Sequence, residues 1–441
     1  MKIETLVAGG GLAGLACARS LAQSGRPYLL VEREKATGGL CRTMEAKGFT
    51  FDYTGHFLHF QDPRIERWVL DLTGKSLQPR RRHSAIHSQG VYTEYPYQEN
   101  NAGLPSATVR ENLLGYLEAA LRERFHPSGR PGPPPGDFRE WCLRNFGPGI
   151  SRHFMFPYNF KLWKIPLSRL TTHWMGRFVP SPRVRRAVEG ALKRRPSESG
   201  YNATFLYPDR GGISILPRAL AQGLPNLWRG VGLNSLSAGE KKARLTSGIE
   251  VQFDRLVSSL PLKALSGLTR DLPSPLKRGA ASLKAVSIYN LNLGVRGRQP
   301  MPYSWVYFPE PEFLFHRAGS VSACVPTVAP AGCYSLYVEF SYRGRKPDPE
   351  RLYRHALGKL RGLGWIRSPK DIVARVDLDL PGAYVIYDEK REGIVADLLE
   401  FYRKRGILST GRYGLWEYGS MESALRQGRE AARLVSSGAS G

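Results

Sequence analysis

The sequence predicts an α/β fold in which a parallel-sheet domain at the start of the chain carries a helical insertion and an antiparallel-sheet domain. Three observations support this prediction. A short apolar strand leads into a glycine-rich turn and a helix near the start of the chain. Apolar residues between positions 105 and 200 recur mostly at helical spacing, and several later segments, from 285 onward, are apolar or alternate with β-branched and aromatic residues.

The composition is that of a folded protein, with 441 residues, of which 41% are hydrophobic and 23% charged. This length allows roughly two to three domains, and the hydrophobic content excludes a disordered chain. The five cysteines show no CxxC spacing, so neither a disulfide framework nor a zinc site is indicated, and we expect no metal. No apolar run has membrane-spanning length, and the chain begins with a strand instead of a signal peptide. We therefore expect a soluble protein of the reducing cytoplasm.

The net charge is strongly positive, since 64 Lys and Arg residues against 38 Asp and Glu residues give +26. Such a charge favours anionic partners, namely nucleic acid, an anionic membrane surface or phosphorylated small molecules. The densest clusters, at residues 80–82, 183–186 and 193–195, carry no zinc-finger, helix-turn-helix or RNA-binding pattern. Solvated basic faces are the more ordinary explanation, so no specific nucleic-acid partner is expected. A basic protein that binds nucleic acid or an anionic surface is kept as the non-enzyme alternative.

The glycine turn after the first strand has the pattern of a dinucleotide-binding site. Residues 3–8 form the predicted strand, and Gly9, Gly11 and Gly14 fit GxGxxG. In this pattern the first glycine permits a tight turn, the second lets the backbone approach a pyrophosphate, and the third lets the helix pack closely on the strand. The free N–H groups and the positive dipole end of the helix then face the phosphates.

An acidic residue lies where a ribose-binding carboxylate is expected. A second strand over residues 28–31 ends at Glu32, 21 residues after Gly11, and this spacing places a carboxylate at a ribose hydroxyl. Residues 34–43 then form a second glycine-rich turn, which resembles the GG motif of flavoproteins with a glutathione-reductase type of FAD domain. We therefore predict a Rossmann-like FAD-binding domain.

Changes of pattern along the chain divide it into six segments. The FAD-binding domain is predicted to be discontinuous, because strand and helix patterns that suit it return after the helical and sheet regions. The predicted segments are 1–85, 201–265 and 376–441 for the FAD-binding domain, 86–104 and 266–375 for the antiparallel sheet domain, and 105–200 for the helical insertion.

Six ordered blocks of sequence resemble the UDP-galactopyranose mutase family, and its eukaryotic-type branch more than the short bacterial one. The first two are DYTGH at 52–56 and YPYQEN at 95–100, which resemble the family's D-x-G-G-H loop and its uridine-contacting segment. The others are FMFPYNFKLW at 154–163, NATFLYPDRGG at 202–212, WVYFPE at 305–310 with Arg317 downstream, and GRYGLWEY at 411–418. The resemblance covers nearly the whole chain and implies a place within the FAD-dependent amine oxidase and protoporphyrinogen oxidase-like superfamily.

The resemblance also implies the chemistry. A mutase of this family interconverts UDP-galactopyranose and UDP-galactofuranose, for cell-wall polysaccharide synthesis, and is active only with reduced FAD, for which NADPH or NADH is the expected reductant. In the family, flavin N5 attacks the anomeric carbon, UDP leaves, and the sugar recloses through a covalent iminium adduct. The cofactor supplies the nucleophile while the protein supplies orientation and electrostatics, so no Ser/His/Asp triad is needed.

The same resemblance assigns roles to individual residues. A guanidinium pairs with two phosphate oxygens at once, so Arg317 is expected to bind the departing diphosphate, and Phe154 is expected to stack on uracil. The catalytic candidates are His56, Arg177, Tyr307, Arg317, Tyr387 and Tyr418. The cofactor-binding candidates are Gly9, Gly11, Leu12, Ala13, Gly14, Glu32, Arg33, Gly39, Leu40, Gly55, His56, Gly411, Arg412, Tyr418, Ser420 and Met421. The substrate-binding candidates are Tyr95, Gln98, Phe154, Asn159, Trp163, Asn202, Trp305, Tyr307 and Arg317.

Two departures from the family pattern keep alternatives open. The family's second diphosphate arginine would fall at Phe178, whereas Arg177 lies one position earlier, and residues 419–422 lack the polar pair expected at the flavin. A mutase for another nucleotide sugar, or an FAD-dependent oxidoreductase of amine oxidase or protoporphyrinogen oxidase type, is therefore an alternative. A UDP-sugar is the expected substrate, and a homo-oligomer is left open.

Overall fold

The computed structural model describes residues 1–124, 136–175, 184–192 and 204–437, and two seven-stranded sheets form its frame. The strands are β1 (Lys2–Ala8), β2 (Tyr28–Glu32), β3 (Thr43–Ala46), β4 (Phe49–Asp52), β5 (Leu77–Arg81), β6 (Ser84–Ser88), β7 (Val91–Glu94), β8 (Thr204–Pro208), β9 (Leu227–Arg229), β10 (Leu233–Ser237), β11 (Lys242–Leu245), β12 (Glu250–Ser258), β13 (Ala285–Arg296), β14 (Trp305–Tyr307), β15 (Arg317–Gly319), β16 (Cys333–Tyr342), β17 (Ile372–Val385) and β18 (Ile407–Ser409). The helices are α1 (Leu12–Gln23), α2 (Pro63–Leu72), α3 (Ser106–Arg124), α4 (Phe138–Ile150), α5 (Phe156–Trp163), α6 (Val184–Ala191), α7 (Ile215–Ala221), α8 (Leu262–Leu268), α9 (Ser274–Ser282), α10 (Pro349–Gly362), α11 (Arg391–Arg403), α12 (Gly411–Gly414) and α13 (Met421–Ser436).

The first sheet belongs to the domain that begins the chain. Its strand β1 runs parallel to β2 on one side and to β12 on the other. β9 extends the sheet beside β2, and β18 pairs with β12, while β10 and β11 form an antiparallel edge. β2 is buried along its whole length, as expected for a parallel strand that is covered on both faces. The predicted α/β class, with a strand, a glycine turn, a helix and a parallel strand in this order, is confirmed.

Glycines allow α1 to pack closely beside this sheet. A Cβ at Gly14 would lie 1.9 Å from the carbonyl oxygen of Gly9, at the end of β1. A Cβ at Gly428, in α13, would lie 2.1 Å from the carbonyl oxygen of Ala13. No pair of non-bonded atoms can approach this closely, so both contacts require glycine. The close contact of α1 with α13 joins the end of the chain to its beginning.

The second sheet has the strand order β17-β13-β16-β15-β14-β6-β7. All neighbouring strands are antiparallel except β14 and β6, which are parallel. β13 and β16 are buried over most of their length, and α10 covers part of the sheet with Leu352, Ala356 and Leu360. The sheet predicted from the later half of the sequence is therefore present.

Three predicted segment boundaries differ from the structure. The boundary between 375 and 376 lies inside β17, which pairs with β13 as far as Val385. The boundary between 265 and 266 lies inside α8. This helix packs with α9, and the two helices lie beside β10 and α11. The second sheet resumes only at Ala285. The boundary between 85 and 86 lies inside β6. The sequence patterns did not identify these three elements, and the sheet that a segment joins depends on distant partners.

Helices α3 to α6 lie in the predicted helical insertion. α3 and α4 pack through glycines, because a Cβ at Gly147 would lie 2.0 Å from the carbonyl oxygen of Gly115. The side chains of Phe138, Phe146 and Trp163 are fully buried in the core of this region. In the part of the chain that the structure describes, no helix is long and apolar enough to cross a membrane.

Gly428→Ala should destabilise the fold by at least about 2 kcal/mol, because the added methyl group forces α13 away from α1. Gly358 provides a matched control, since it lies exposed in α10 and a Cβ there would meet open space. Gly358→Ala should instead stabilise the protein by about 0.5–1 kcal/mol through helix propensity. Urea unfolding followed by circular dichroism measures both changes, and equal effects would contradict the close contact of α1 with α13.

Candidate active site

A cavity of about 1000 Å³ lies between the carboxyl ends of β1 and β2 and the strands β14 and β15 of the second sheet. Ligands of open α/β sheets bind at this end of the parallel strands. The predicted site residues that line it are Gly9, Gly11, Leu12, Ala13, Glu32, Arg33, Gly39, Leu40, Gly55, His56, Tyr95, Trp305, Tyr307, Arg317, Gly411, Arg412, Tyr418, Ser420 and Met421. The fold thus brings residues from both ends of the sequence to one cavity.

The turn after β1 and the start of α1 line the cavity. Gly9 has φ +99°, a conformation that L side chains rarely adopt, and Gly11 has open space where a side chain would lie. α1 begins directly after Gly11, and no side chain caps its first N–H groups. An uncapped helix N-terminus beside open space suits a phosphate group, so this turn fits the pyrophosphate of a dinucleotide.

Glu32 and the second glycine turn close this end of the cavity. The Glu32 carboxylate accepts hydrogen bonds from the backbone N–H of Gly10 at 2.6 Å and from that of Glu34 at 2.8 Å. Gly38 donates its N–H to the carbonyl oxygen of Gly10 at 2.8 Å, so the two glycine turns lie against each other. A carboxylate has about four acceptor positions, so Glu32 can still accept a hydrogen bond from a ribose hydroxyl.

The cavity wall is strongly cationic. Its charged lining residues are Glu32, Arg33, Glu34, Arg42, Arg82, Lys263, Arg317 and Arg412. Arg412 donates through its terminal nitrogens to the carbonyl oxygens of Ala383 at 2.9 Å and Gly419 at 3.3 Å, whereas its buried Nε has no partner among the described residues. A buried donor without a partner is costly unless a ligand accepts from it. The cationic wall, the glycine turns and Glu32 together fit FAD, whose diphosphate is anionic.

Arg317 is held in the cavity by a buried carboxylate. Arg317 on β15 and Glu339 on β16 lie directly opposite each other in the second sheet, so their side chains share one face. The guanidinium donates through Nε and Nη2 to both carboxylate oxygens, at 2.7–3.1 Å. Burial by itself raises the pKa of Glu339, but Arg317 and His316 lower it to about 2. The pair is therefore ionised at neutral pH, and the guanidinium has a fixed position.

Aromatic side chains lie beside the guanidinium groups of both Arg317 and Arg412. The centroid of the Trp305 ring lies 5.2 Å from the guanidinium carbon of Arg317. Tyr384 and Tyr418 stack with ring centroids 5.9 Å apart, and the guanidinium carbon of Arg412 lies 5.0 and 4.9 Å from these centroids. Burial raises the pKa of both phenols, so each keeps its proton at neutral pH and can donate it to an anion.

His56 lies on the loop after β4. Its backbone N–H donates to the carbonyl oxygen of Thr54 at 2.8 Å, and the buried Asn290 anchors the same loop by donating Nδ2 to the carbonyl oxygen of Tyr53 at 2.8 Å. Burial is the main cause that lowers the pKa of His56 to about 4. The imidazole is therefore neutral at physiological pH and can both donate and accept a hydrogen bond.

The prediction for Tyr387 differs from the structure. β17 ends at Val385, and the Tyr387 hydroxyl beyond it accepts the backbone N–H of Tyr418 at 2.7 Å instead of lining the cavity. Tyr384, three residues earlier, lines the cavity in its place. The sequence here departs from the family's pattern, so only the end of the strand shows which of the two tyrosines faces the cavity.

Phe154, which we expected to stack on uracil, does not line the cavity. Its side chain is 6% exposed, and its ring stacks against those of Tyr97 and Tyr158 with centroids 5.1 and 5.4 Å away. In this conformation it offers little ring surface to a base and instead supports the wall, because Tyr158 packs against Tyr307.

Other predicted residues also lie behind the wall. Asn159 donates its Nδ2 to the carbonyl oxygen of Met155 at 2.8 Å, and Trp163 is fully buried against Trp174. Gln98 is buried as well. Gly14 contributes a close packing contact with Gly9. Two further predicted residues lie outside the described residues, namely Arg177 and Asn202.

Several lining residues were missed because no motif contains them, namely Arg82, Lys263 and Tyr384. Arg82 belongs to the basic run at 80–82, which the charge pattern assigned to a solvated face. Its guanidinium carbon lies 4.9 Å from the ring centroid of Trp305. A prediction of the start of β6 at Ser84 could have located Arg82 in the cavity wall. Ser84 pairs with Trp305 across the sheet, and Arg82 lies two residues before Ser84.

Glu339→Gln should lower the free energy of unfolding by on the order of 3 kcal/mol at neutral pH, since Arg317 loses its buried counter-charge. The folded-state pKa of Glu339, about 2, lies below its ordinary value of 4.5, so its contribution is complete above pH 4.5 and is lost as the pH falls toward 2. The difference between wild type and variant should therefore narrow below pH 4.5. Urea unfolding over this pH range measures the difference, with Glu312→Gln, at an exposed position of the neighbouring loop, as the control. A difference that is independent of pH would contradict the ionised pair.

Comparison with known proteins identifies the family. The model of the flavin-containing amine oxidoreductases matches residues 12–436. A solved structure described as reduced UDP-galactopyranose mutase superposes with a TM-score of 0.90 at 28% sequence identity, over 99% of this chain and 96% of that chain. This similarity confirms the resemblance predicted from the six blocks. A putrescine oxidase with bound putrescine has a TM-score of 0.65 at 15% identity and shares the fold.

The curated relatives match smaller parts of the chain. The protoporphyrinogen oxidase of Homo sapiens is 25% identical over 340 residues, which are 67% of this chain and 68% of that protein. The all-trans-retinol 13,14-reductase of Rattus norvegicus is 35% identical over 71 residues, which are 16% of this chain and 12% of the reductase. The match thus spans only a small part of the retinol reductases. The protein is an enzyme that belongs to the flavin-containing amine oxidoreductase family, and its structure is similar to that of a UDP-galactopyranose mutase over nearly the whole chain.

Proposed function

We propose that this protein is a flavin-dependent nucleotide-sugar mutase that interconverts UDP-galactopyranose and UDP-galactofuranose. One observation carries the proposal: Arg317, held by a buried carboxylate, lies among phenols in a cationic cavity whose other end fits a dinucleotide. The similarity to a UDP-galactopyranose mutase over nearly the whole chain supports the same function. FAD and a UDP-sugar are then the two anionic ligands of the cavity.

The residues around the two glycine turns would hold FAD. Gly9 and Gly11 would receive its pyrophosphate, and Glu32 would accept a hydrogen bond from its ribose. Reduced FAD supplies a nucleophile for the anomeric carbon of the sugar without net oxidation. NADPH or NADH is the proposed reductant, and the cytoplasm is the proposed location.

Arg317 would bind the diphosphate of the substrate. Its Nε and Nη2 donate to Glu339, and no described residue accepts from Nη1, which leaves that nitrogen for a phosphate oxygen. As the bond between the sugar and UDP breaks, negative charge grows on the diphosphate, and a fixed guanidinium stabilises that charge. The protonated phenols of Tyr384 and Tyr418 would donate further hydrogen bonds to the same group.

His56 would complete the site on the side of the loop after β4. Because its imidazole is neutral at physiological pH, it can hydrogen-bond near the reacting groups without adding a positive charge that competes for the phosphates. Asn290 would keep the loop in place through the carbonyl oxygen of Tyr53.

An oxidoreductase of protoporphyrinogen oxidase type is the second candidate, because the human enzyme is similar over 67% of the chain. Such an enzyme consumes an electron acceptor at every turnover, whereas a mutase does not. The cationic wall near Arg317 favours a substrate with a diphosphate, which is the reason the mutase comes first.

The protein reduced with dithionite in the absence of air should convert UDP-galactofuranose into UDP-galactopyranose for many turnovers per bound flavin, since the reaction is redox-neutral. The oxidised protein should show no conversion. Chromatography of the nucleotide sugars measures the product. Conversion that requires continuous supply of an electron acceptor would support the oxidoreductase instead.

Arg317→Lys should lower kcat/KM for the UDP-sugar by about 100-fold, because an ammonium keeps the charge but loses the planar fork that reaches both Glu339 and a phosphate. The bound FAD, measured by its visible absorbance, should be unchanged. Arg298→Lys is the control at an exposed position and should keep wild-type activity. Unchanged kcat/KM in Arg317→Lys would refute the role of this residue.

A further inference from the structure

The ammonium group of Lys161 is buried beneath the strands that carry Tyr307 and Arg317. Its Nζ donates to the carbonyl oxygens of Phe308 and Glu310, both at 2.6 Å, and lies 3.4 Å from that of Phe315. Lys161 is only 8% exposed. A buried ammonium is costly unless its donors are satisfied, and these carbonyl groups satisfy them.

All of these carbonyl groups belong to one loop. Residues 308–316 connect β14 to β15, and Tyr307 and Arg317 pair directly across these two strands. Within the loop, the N–H of Phe308 donates to the carbonyl oxygen of His316 at 3.0 Å. Lys161 bonds to carbonyl groups near both ends of the loop and so links its two sides. It therefore restricts the separation and twist of β14, which ends at Tyr307, and of β15, which begins at Arg317.

α5 contacts the same strands through a second side chain. Tyr158 lies three residues before Lys161, so the two side chains share one face of the helix. The Tyr158 ring packs edge-on against that of Tyr307, with centroids 5.1 Å apart. The helix therefore holds the β14–β15 hairpin both at the ring of Tyr307 and at the loop.

We propose that Lys161 is a positioning residue, which holds the β14–β15 hairpin so that Tyr307 and Arg317 can bind the substrate diphosphate together. This inference rests on the proposed function and adds a residue that acts from behind the cavity wall. Lysine suits the position, because one compact ammonium has three donors that can point in different directions. Burial lowers the pKa of Lys161 to about 7, although Glu310 opposes the shift, so measurements at about pH 6 keep the ammonium charged.

Lys161→Met tests the inference, because it keeps an unbranched apolar stem and removes all donors. The Kd of UDP and the KM of UDP-galactofuranose should both rise about tenfold, while kcat per bound FAD should change less. A role in stability alone would reduce the amount of loaded enzyme but leave Kd and KM unchanged once they are normalised to bound FAD. Lys161→Arg, which restores charged donors, should recover part of the lost affinity for UDP.

Lys164→Met is the matched control, since Lys164 caps the end of the same helix and does not line the cavity. It should bind UDP like the wild type. If Lys161→Met does not fold, Lys161→Gln, which keeps uncharged N–H donors, is measured in the same way. Wild-type Kd and KM in the folded Lys161 variant would overturn the inference. If the wild-type protein binds UDP but does not convert the sugar, the proposed mutase function is refuted. The inference about Lys161 can still be tested in that case, because the Kd of UDP reports on Lys161 independently of turnover.

Discussion

The buried carboxylate of Glu339 determines where positive charge can lie in the active site. A carboxylate that is 0% exposed stays ionised only when it is paired, and the register of β15 with β16 places Arg317 opposite it. The guanidinium is therefore fixed before any ligand binds. An anion that enters the cavity meets an oriented donor at no cost of reorganisation, which is the main way in which an enzyme stabilises charge that develops during a reaction.

The two sheets provide different parts of the cavity. The first sheet provides a local device, in which a glycine turn, an uncapped helix and Glu32 lie within one strand–helix–strand unit. The second sheet provides an assembled device, in which Arg317, Tyr307 and Trp305 depend on pairing between distant strands. Strand pairing holds both devices in place. The close glycine contact between α1 and α13 fixes the end of the chain, with Ser420 and Met421, against the first device.

The sequence revealed the local device well and the assembled one only in part. Gly9, Gly11 and Glu32 have a fixed spacing because one short unit places them all, so their pattern could be recognised directly. Tyr384 was missed in favour of Tyr387 because the end of β17 is set by its pairing with β13, not by the local sequence. Arg82 was assigned to a solvated face because its partner, Trp305, is more than two hundred residues away. The partners of Glu339 and Lys161 could not be predicted for the same reason, since they are defined by strand register and helix packing.

The most direct test of the proposed diphosphate site is a crystal structure of the reduced, FAD-loaded protein with UDP. The diphosphate of UDP should lie within hydrogen-bonding distance of the Arg317 guanidinium, with Glu339 still bound to the opposite side of that group and at least one of the phenols of Tyr307, Tyr384 and Tyr418 donating to a phosphate oxygen. A diphosphate that binds elsewhere in the cavity, or an Arg317 that contacts Glu339 alone, would contradict the assignment of this site.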